Sequence, residues 1–493
     1  MKKNCLLTFL MLNTLLLPNI SFAENGCCND SCKCQWTLEN GVMTISGNSK
    51  MKNYNKDNLP WKDSLSSINS VVIQSGITSV SSVAFQGASN LTSVSIPNTV
   101  TSIGQNAFRD TNLTSVNIPS SVTTIDKYAF RNIENLSNVT FEPNSQLTSI
   151  ATSVFRDNPN LTSVNIPSSV TTIEQCAFCY ASSLTSVTIP NSVTTIGYEA
   201  FYDNSSLTSV TIADSVTSIE GKAFYGNTAL ETVNFGKNSQ LTTLGELAFY
   251  NDDHLKSITI PDTVTSIGRA AFYGNTALET VNFGENSKLT SIGSLAFYNN
   301  DSLTSITIPD SVQTIEERAF YSADNLTSII IGDGVTSIGE NAFKSLPSNL
   351  KIYCQNTSEN RCSSLIGENN STALNKVVLF EKDETGMYKI GEGDDATYFA
   401  SAADLVASPP VACSDIETCR AQALKNKGKG CKTLDECADL INEAKAGTFK
   451  KDGKFYASLA DYLSGNYERK RIYTIKEANE IAGKKNSVML RYR

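Results

Sequence analysis

The apolar positions of the chain recur at a nearly fixed interval. Residues 91–108 read LTSVSIPNTVTSIGQNAF, and close copies of this phrase occupy residues 184–201 and 303–320. A unit this short cannot bury its own apolar face, and it does so by stacking on its neighbours. The pattern therefore predicts a repeat solenoid of about 12 turns, marked by a phenylalanine every 22 to 25 residues at Phe85, Phe108, Phe130, Phe155, Phe178, Phe201, Phe224, Phe249, Phe272, Phe297, Phe320 and Phe343.

Each repeat predicts two short extended segments and a turn. In residues 184–201 the first apolar positions alternate, which is typical of a strand because successive side chains point to opposite faces. Pro190 removes a backbone donor and should end that strand. Residues 193–196 then predict a second extended segment, and residues 198–201 a short helical or 3₁₀ turn.

The repeat resembles the BspA-like leucine-rich repeats, a class with a 23-residue period. The resemblance rests on the phrase LTSVTIPxSVTxIGxxAF and on the upstream segment WTLENGVMTISG, and it covers about residues 36–353. It implies a curved leucine-rich repeat solenoid over residues 63–353, with a parallel sheet on the concave side. It also implies a surface or secreted protein, since the family has members implicated in adhesion.

The N-terminus has the three parts of a secretory signal peptide. Two lysines precede an apolar run at residues 6–17, and Ser21-Phe22-Ala23 offers a small-x-small cleavage site. Residues 1–23 are therefore expected to be removed on export. No later stretch reaches the roughly 20 apolar residues that a membrane helix needs, so the sequence predicts a secreted or cell-surface chain with no transmembrane segment after cleavage.

The net charge and the cysteine content each add an expectation, one about partners and one about disulfides. The net charge of -9 argues against a nucleic-acid partner, since proteins that bind the phosphate backbone present a basic surface. Of the thirteen cysteines, all but Cys5 follow the signal peptide, and disulfides are expected in an oxidising compartment. The single histidine, His254, gives histidine triads and His-rich metal centres little to build on and is predicted to be a solvated turn residue.

Residues 24–62 are predicted to form an N-terminal cap. Asn40 and Gly41 lie between two alternating segments and predict a tight hairpin. The cap cysteines are expected to form disulfides, with zinc as the alternative, at Cys27, Cys28, Cys32 and Cys34. Within the repeats, Cys176 and Cys179 predict either a local disulfide or two free thiols.

The repeat phrase fails after Leu350. Cys354 and Cys362 are predicted to pair, and residues 354–390 to form a C-terminal cap and linker with a strand at residues 376–380. Residues 391–493 predict a small α+β domain with five helix-starting boxes, which begin at Ser401, Ser414, Thr433, Ser458 and Thr474. Two C-x₅-C pairs predict two disulfides in one of three connectivities, with zinc again the alternative, at Cys413, Cys419, Cys431 and Cys437.

Two sets of side chains are candidate ligand contacts. The first lies between the buried positions of the first strand and comprises Thr185, Thr188, Thr208, Thr211, Glu231, Lys256 and Glu279. The second is a row of tyrosines that could offer rigid amphipathic contact area, at Tyr202, Tyr225, Tyr250, Tyr273, Tyr298 and Tyr321. The structural alternatives are that threonine suits a half-solvated sheet and that each ring packs on its neighbour.

Two further rows are predicted to be less informative about ligands. Arginine occupies the tyrosine position in three early turns, at Arg109, Arg131 and Arg156. Asparagine recurs three residues after the repeat phenylalanine and is predicted to bond the turn backbone, at Asn158, Asn204, Asn227, Asn275 and Asn300.

The sequence favours a binding protein over an enzyme. The repeats contain no nucleophile with an adjacent base and no carboxylate pair, and no cofactor or metal is predicted. The leading hypothesis is that the solenoid binds extracellular proteins, cell-surface or matrix ligands, or glycans. The alternatives are a passive spacer that displays a C-terminal binding or anchoring module and, least favoured, an enzyme using Asp404, Asp461 or Glu477, since each of these acids already has a helix-capping role.

Overall fold

A computed structural model of the chain describes residues 24–284 and 286–355 and, beyond these, only short stretches between residues 364 and 455. The predicted signal peptide at residues 1–23 lies outside the described residues. The chain divides into two compact units, Met1–Leu184 and Thr185–Arg493. Both are built from coiled turns of short parallel strands, which confirms the predicted solenoid.

The first unit begins with an antiparallel hairpin. Strand β1 (Glu24–Cys27) pairs with β2 (Cys34–Glu39), which pairs with β3 (Val42–Gly47). Asn40 and Gly41 have φ values of 49° and 78°, as the predicted two-residue turn requires. Because asparagine and glycine both tolerate this left-handed region, two residues suffice to close the hairpin.

Disulfides hold the loop between β1 and β2. Cys27 is bonded to Cys32, and Cys28 to Cys34. The predicted disulfides of the cap are therefore confirmed. A 3₁₀ helix, Lys62–Ser67, then leads into the repeats.

Each turn of the coil contributes a strand of two to four residues followed by a strand of two. The first-unit strands are β4 (Ser70–Ile73), β5 (Ser79–Val80), β6 (Ser93–Ser95), β7 (Ser102–Ile103), β8 (Ser115–Ile118), β9 (Thr124–Ile125), β10 (Asn138–Phe141), β11 (Ser149–Ile150), β12 (Ser163–Val164) and β13 (Thr172–Ile173). Parallel pairing joins β3, β4 and β6, then β8, β10 and β12, while the short strands pair as β5-β7-β9 and as β11-β13. Equal repeat positions therefore become neighbours.

The second unit continues the same scheme. Its strands are β14 (Ser186–Ile189), β15 (Thr195–Ile196), β16 (Ser209–Ile212), β17 (Ser218–Ile219), β18 (Thr232–Phe235), β19 (Thr243–Leu244), β20 (Ser257–Ile260), β21 (Ser266–Ile267), β22 (Thr280–Phe283), β23 (Ser291–Ile292), β24 (Ser305–Thr307), β25 (Thr314–Ile315), β26 (Ser328–Ile331) and β27 (Ser337–Ile338). The short strands from β15 to β27 form one parallel ladder. The two extended segments predicted for each repeat are thus confirmed.

The repeat phenylalanines form the centre of each core. All are buried, and their rings stack with centroids 5.2 to 5.7 Å apart from Phe85 to Phe178 and 5.2 to 5.9 Å apart from Phe201 to Phe343. Trp61 stacks on Phe85 at 6.1 Å and occupies the equivalent place one turn earlier. The solenoid therefore has about 13 turns, one more than the phenylalanines mark.

The segment around each phenylalanine is a pair of tight turns, so the predicted helical or 3₁₀ segment is wrong. In one turn of the second unit, Glu199 and Asp203 have φ values of 57° and 56°, which interrupts any helix. The N–H groups of Glu199, Phe201 and Asp203 donate to carbonyls of the next turn at 2.8 to 3.0 Å. The third side of the coil is therefore also a hydrogen-bonded ladder. The residues with positive φ direct its backbone N–H and C=O groups along the axis of the coil.

Side chains satisfy the free ends of this ladder. At the start of the first unit, the indole N–H of Trp61 donates to the Ala84 carbonyl at 2.7 Å. At the last turn of the second unit, Asn370 Oδ1 accepts the Phe343 N–H at 3.0 Å, and its Nδ2 donates to Gly339. Buried backbone groups need such partners, and these two side chains supply them.

The repeat sheet continues into the C-terminal region. It adds β28 (Lys351–Gln355), β29 (Val377–Lys382), β30 (Tyr388–Ile390) and β31 (Thr397–Phe399), while β32 (Lys450–Lys451) and β33 (Lys454–Phe455) form a separate two-stranded sheet. The predicted strand at residues 376–380 falls in β29. Antiparallel pairing of β30 with β31 spans the predicted boundary at residue 390, and Phe399 and Leu405 pack against Ile330 and Tyr353.

Several predictions for this region fall on residues that the structure does not describe. Cys354 is disulfide-bonded, but its predicted partner Cys362 lies outside the described residues. The same is true of Cys413, Cys419, Cys431 and Cys437 and of the four helix-starting boxes from Ser414 onward. The first box is present, since the Asp404 N–H donates to Ser401 Oγ at 3.1 Å and Ser401 Oγ donates to the Asp404 carboxylate.

Candidate binding surface

The threonines predicted on the first strand form two rows in the second unit. Thr188 and Thr211 are register partners in β14 and β16, and both are exposed between buried valine and isoleucine. Thr185 and Thr208 precede the same strands, and the Thr208 N–H and Oγ1 both donate to the Thr185 carbonyl, at 2.9 and 3.0 Å. The strand alternation therefore places these residues at the surface, as the sequence predicts.

Charged residues continue the row that begins with Thr185 and Thr208. The Glu231 N–H donates to the Thr208 carbonyl at 2.9 Å, and the Glu279 N–H donates to the Lys256 carbonyl at 2.8 Å. All three charged side chains are exposed and alternate in sign along the axis. A row of neutral hydroxyls thus passes into a row of alternating charge.

The six tyrosines form one continuous stack, here called the tyrosine stack. Successive ring centroids are 4.6 to 5.1 Å apart and the planes lie within 12° of parallel, from Tyr202 to Tyr321. Each ring is half-buried. Burial, followed by the neighbouring phenols, raises the pKa of Tyr250 and Tyr273, which keeps these hydroxyls neutral. The interpretation that each ring packs on its neighbour is confirmed, and the ring edges remain available to solvent.

The tyrosine stack and the threonine rows occupy different parts of each turn. Tyr202 directly follows a core phenylalanine at the tight turns, whereas Thr208 and Thr211 come six and nine residues later, at the next first strand. The sequence-predicted candidates therefore form separate strips along the second unit. A ligand that contacts several turns would run along one of them.

The arginines of the first unit are ion-paired. Arg131 and Arg156 both reach Asp157 Oδ2, at 3.0 and 3.3 Å, and Arg109 lies 3.3 Å from Asp110. Ion pairs with this degree of exposure contribute little to stability, about 0 to 1 kcal/mol each. The arginine row therefore carries its own counter-ions and does not present a free basic surface.

The recurring asparagines bond the turn backbone, as predicted. Asn227 Oδ1 accepts the Asn204 N–H at 2.8 Å, and Asn227 Nδ2 donates to the Phe224 carbonyl at 2.7 Å. Asn158 makes the same bonds in the first unit, to Ile133 and Phe155. The side chains are buried and link one turn to the next, which makes them structural.

Two other sequence predictions concern isolated residues. Cys176 and Cys179 form a disulfide, which decides between the two states left open by the sequence. His254 is exposed, and its Nδ1 lies 2.6 Å from the Thr228 carbonyl, as expected for a solvated turn residue.

Sequence reasoning did not identify the pair Tyr198 and Lys222. Lys222 Nζ lies 5.4 Å from the centre of the Tyr198 ring and 3.4 Å from Glu199 Oε1. A hydrogen bond to Tyr198, and then one to Glu199, raise the pKa of Lys222 to about 12. Tyr198 is 37% exposed, so an aromatic surface with a fixed cation lies on the second unit. No repeated tyrosine marks this position.

A cleft in the first unit was also absent from the sequence predictions. It has a volume of about 770 Å³ and lies between the cap loops and the short strands β5 and β7. Its walls come from segments up to about 100 residues apart in sequence, from Asn29 to Asp126. No local pattern brings these segments together.

Among the described residues, no helix has the length and apolar character to span a bilayer.

Comparisons with known proteins agree with the observed fold. The family model for the BspA type leucine-rich repeat region matches in six copies, at residues 63–184, 148–279 and 242–371. A comparison with curated proteins gives no match.

Two solved bacterial proteins illustrate the likeness. A leucine-rich repeat protein from Bacteroides ovatus is 23% identical with a TM-score of 0.52, over 66% of this chain and 94% of that one. A leucine-rich cell surface protein from Faecalibacterium prausnitzii is 23% identical with a TM-score of 0.32, over 71% of this chain and 98% of that one. The first of these shows a shared fold. The family model covers more than half of the present chain, which therefore belongs to the BspA-type leucine-rich repeat family.

Proposed function

We propose that this protein is exported and binds extracellular ligands through the outer surface of its second unit. The ligands would be extracellular proteins or cell-surface and matrix components, glycans included. A leucine-rich repeat solenoid is typical of non-enzymatic repeat proteins, and no catalytic role is proposed. The observation that carries the proposal is the tyrosine stack, which runs unbroken over six turns.

Binding through the tyrosine stack would cost little conformational entropy. Tyrosine supplies a large amphipathic contact, and it is enriched among residues that dominate binding energy. In the tyrosine stack each ring is already held between its neighbours, so binding would immobilise little additional side-chain freedom. The exposed threonine rows and the alternating charges of Glu231, Lys256 and Glu279 would provide polar contacts beside it.

Export is supported by two observations. Residues 1–23 have the sequence pattern of a secretory signal peptide. Three disulfides in the first unit, together with the bonded Cys354, are typical of an oxidising compartment. Secretion of the full-length chain from a bacterial host, with N-terminal sequencing of the released form, tests this part of the proposal.

Binding can be tested with the mature chain, residues 24–493, on immobilised matrix proteins and whole cells. Tyr225→Ser and Tyr273→Ser together would interrupt the tyrosine stack at two places and should lower binding at least tenfold. Tyr128→Ser is the matched control, because that half-buried tyrosine lies in the first unit beside Arg131 and outside the stack. If the stack variant binds as well as the parent and deletion of residues 424–493, which leaves Phe399, Leu405 and Ala423 in place, abolishes binding, the repeats are a spacer.

A further inference from the structure

The N-terminal cap covers one of the two strand ladders of the first unit and leaves the other open. The cap strand β3 pairs with β4 and so extends the sheet of longer strands. Strand β5 begins the ladder of short strands, and among the described residues it pairs with β7 alone. The cleft of about 770 Å³ lies at this open edge, between β5 and the two cap loops.

The lining of the cleft is polar but nearly uncharged overall. Of its fifteen lining residues, eight carry a neutral hydroxyl or amide, two are aspartates and two are lysines. Asp30 and Lys52 form an ion pair at 2.6 Å, which leaves one charge of each sign, on Lys50 and Asp126. Met51 and Val80 are buried and form an apolar floor.

This chemistry excludes several classes of ligand. A polyanion needs a surplus of basic groups, and here the two signs balance. An amphipathic helix or a lipid chain needs a largely apolar groove, and only two lining residues are apolar. A ligand with many hydroxyls and no net charge matches both the neutral polar walls and the small apolar floor. The volume is in the range of small-molecule sites, roughly 300 to 1,000 Å³.

One wall of the cleft carries the hydroxyl groups of Thr78 and Thr101, and a hydrogen bond fixes the Thr101 side chain. Thr101 Oγ1 donates to the Thr78 carbonyl at 3.2 Å, so its lone pairs are free to accept from a ligand. Both threonines are exposed and occupy the same position in successive turns. The exposed carboxylate of Asp126 lies one turn further along and can accept two hydrogen bonds from vicinal hydroxyls.

The opposite wall is equally fixed. Asn29 Oδ1 accepts the N–H groups of Lys33 and Cys34 at 3.1 and 3.3 Å, and its Nδ2 donates to the Lys50 carbonyl at 3.0 Å. These bonds join the two cap loops, and the two cap disulfides close the loop that carries Asn29. A preorganised wall binds with a smaller entropic cost than a mobile one.

We propose that the cleft between the N-terminal cap and the open edge of β5 binds a neutral oligosaccharide. Thr78 and Thr101 accept hydrogen bonds from the sugar, and Asp126 holds a pair of hydroxyls. This site lies wholly in the first unit. It is distinct from the tyrosine stack and does not depend on it.

The test uses the mature chain on a printed array of neutral, sulfated and sialylated oligosaccharides. Calorimetry then uses the neutral oligosaccharide with the strongest array signal. We expect retention of neutral glycans, and Thr101→Val with Asp126→Ala should weaken binding at least tenfold, which is the loss expected for two or more hydrogen bonds.

The matched control is Thr265→Val. It removes the equivalent bond in the second unit, from Thr265 Oγ1 to the Thr242 carbonyl at 3.1 Å, and should leave the affinity within twofold. The proposal is overturned if no neutral glycan is retained, if only sulfated or sialylated glycans bind, or if the cleft variant keeps its affinity. Retention of glycans by the tyrosine-stack variant separates this site from the proposed function.

Discussion

Asp252 Oδ1 accepts the backbone N–H of Asn227 at 2.9 Å, at a ladder position where the neighbouring turns have asparagine. Its own N–H donates to Asn275 Oδ1 at 2.8 Å. Asp252 is fully buried, and its Oδ2 has no hydrogen-bond partner among the described residues. The atom of Asn227 that corresponds to Asp252 Oδ2 is Nδ2, which donates to the Phe224 carbonyl. A protonated Asp252 carboxyl could donate in the same way, whereas a carboxylate could not.

The contribution of Asp252 to the free energy of unfolding should therefore fall as the pH rises. Burial, and then the charge of nearby Asp253, raises the pKa of Asp252 well above its usual value, although the hydrogen bond from Asn227 opposes this. Between the unfolded pKa of about 3.9 and the raised folded pKa, the folded chain holds a proton that the unfolded chain releases. The contribution to stability is full below the lower pKa and declines until the folded pKa is passed.

Asp252→Asn tests this directly, because asparagine has no ionisable proton and stays neutral at any pH. We expect the variant to be more stable than the parent at pH 7 by about 1 to 3 kcal/mol, the cost of an unsatisfied buried group. Urea unfolding at several pH values from 4 to 8 should show a smaller pH dependence. Asp203→Asn is the control, since Asp203 is exposed in an equivalent turn. A variant with unchanged pH dependence would show that Asp252 does not bind the proton.

The tyrosine stack should contribute to stability as well as to binding. Tyr250 lies 4.6 Å from Tyr225 and 4.8 Å from Tyr273, so Tyr250→Ala removes two ring contacts. The expected loss is about 2 to 4 kcal/mol, from aromatic pairing together with lost burial. Tyr250→Phe keeps the ring and should change the free energy of unfolding by less than about 0.5 kcal/mol. Equal losses in both variants would assign the effect to the hydroxyl.

Trp61 should stabilise the start of the first unit by two separable contacts. Trp61→Phe keeps a ring that can stack on Phe85 but removes the N–H that donates to the Ala84 carbonyl. Leaving that carbonyl unsatisfied should cost about 1 to 3 kcal/mol. Hydrogen exchange should rise in the first turns of this unit. Trp36→Phe is the control, because the Trp36 indole nitrogen has no hydrogen-bond partner among the described residues.

Gly236 lies close to the side chain of Asp214 in the preceding turn. A Cβ at Gly236 would lie 2.0 Å from Asp214 Oδ1, and that atom already accepts the Asn238 N–H at 2.9 Å. Gly236→Ala should therefore displace Asp214 and cost about 1 to 3 kcal/mol in unfolding free energy. Gly87→Ala is informative by contrast, since nothing lies within 4 Å of its Cβ and only its φ of 80° opposes the change. A smaller loss at Gly236 than at Gly87 would contradict this account.

Periodicity alone determined the repeat fold and the neighbours along the axis. Because each turn repeats the same apolar positions, residues about 23 apart must superpose, and this places Tyr250 on Tyr273 and Thr211 beside Thr188. The Asn40-Gly41 hairpin was equally predictable, since it depends on two adjacent residues. Such features need only local conformation and translation by one turn.

Tertiary structure decided the features that break the period. Trp61 acts as the first core ring although it resembles no repeat phenylalanine, and Asp252 meets its buried partners only once the turns have stacked. The cleft needs the cap loops to lie beside Thr78 and Thr101. The cap and the ends of the coil depend on contacts between unlike segments, and no repeated pattern specifies which of these segments meet.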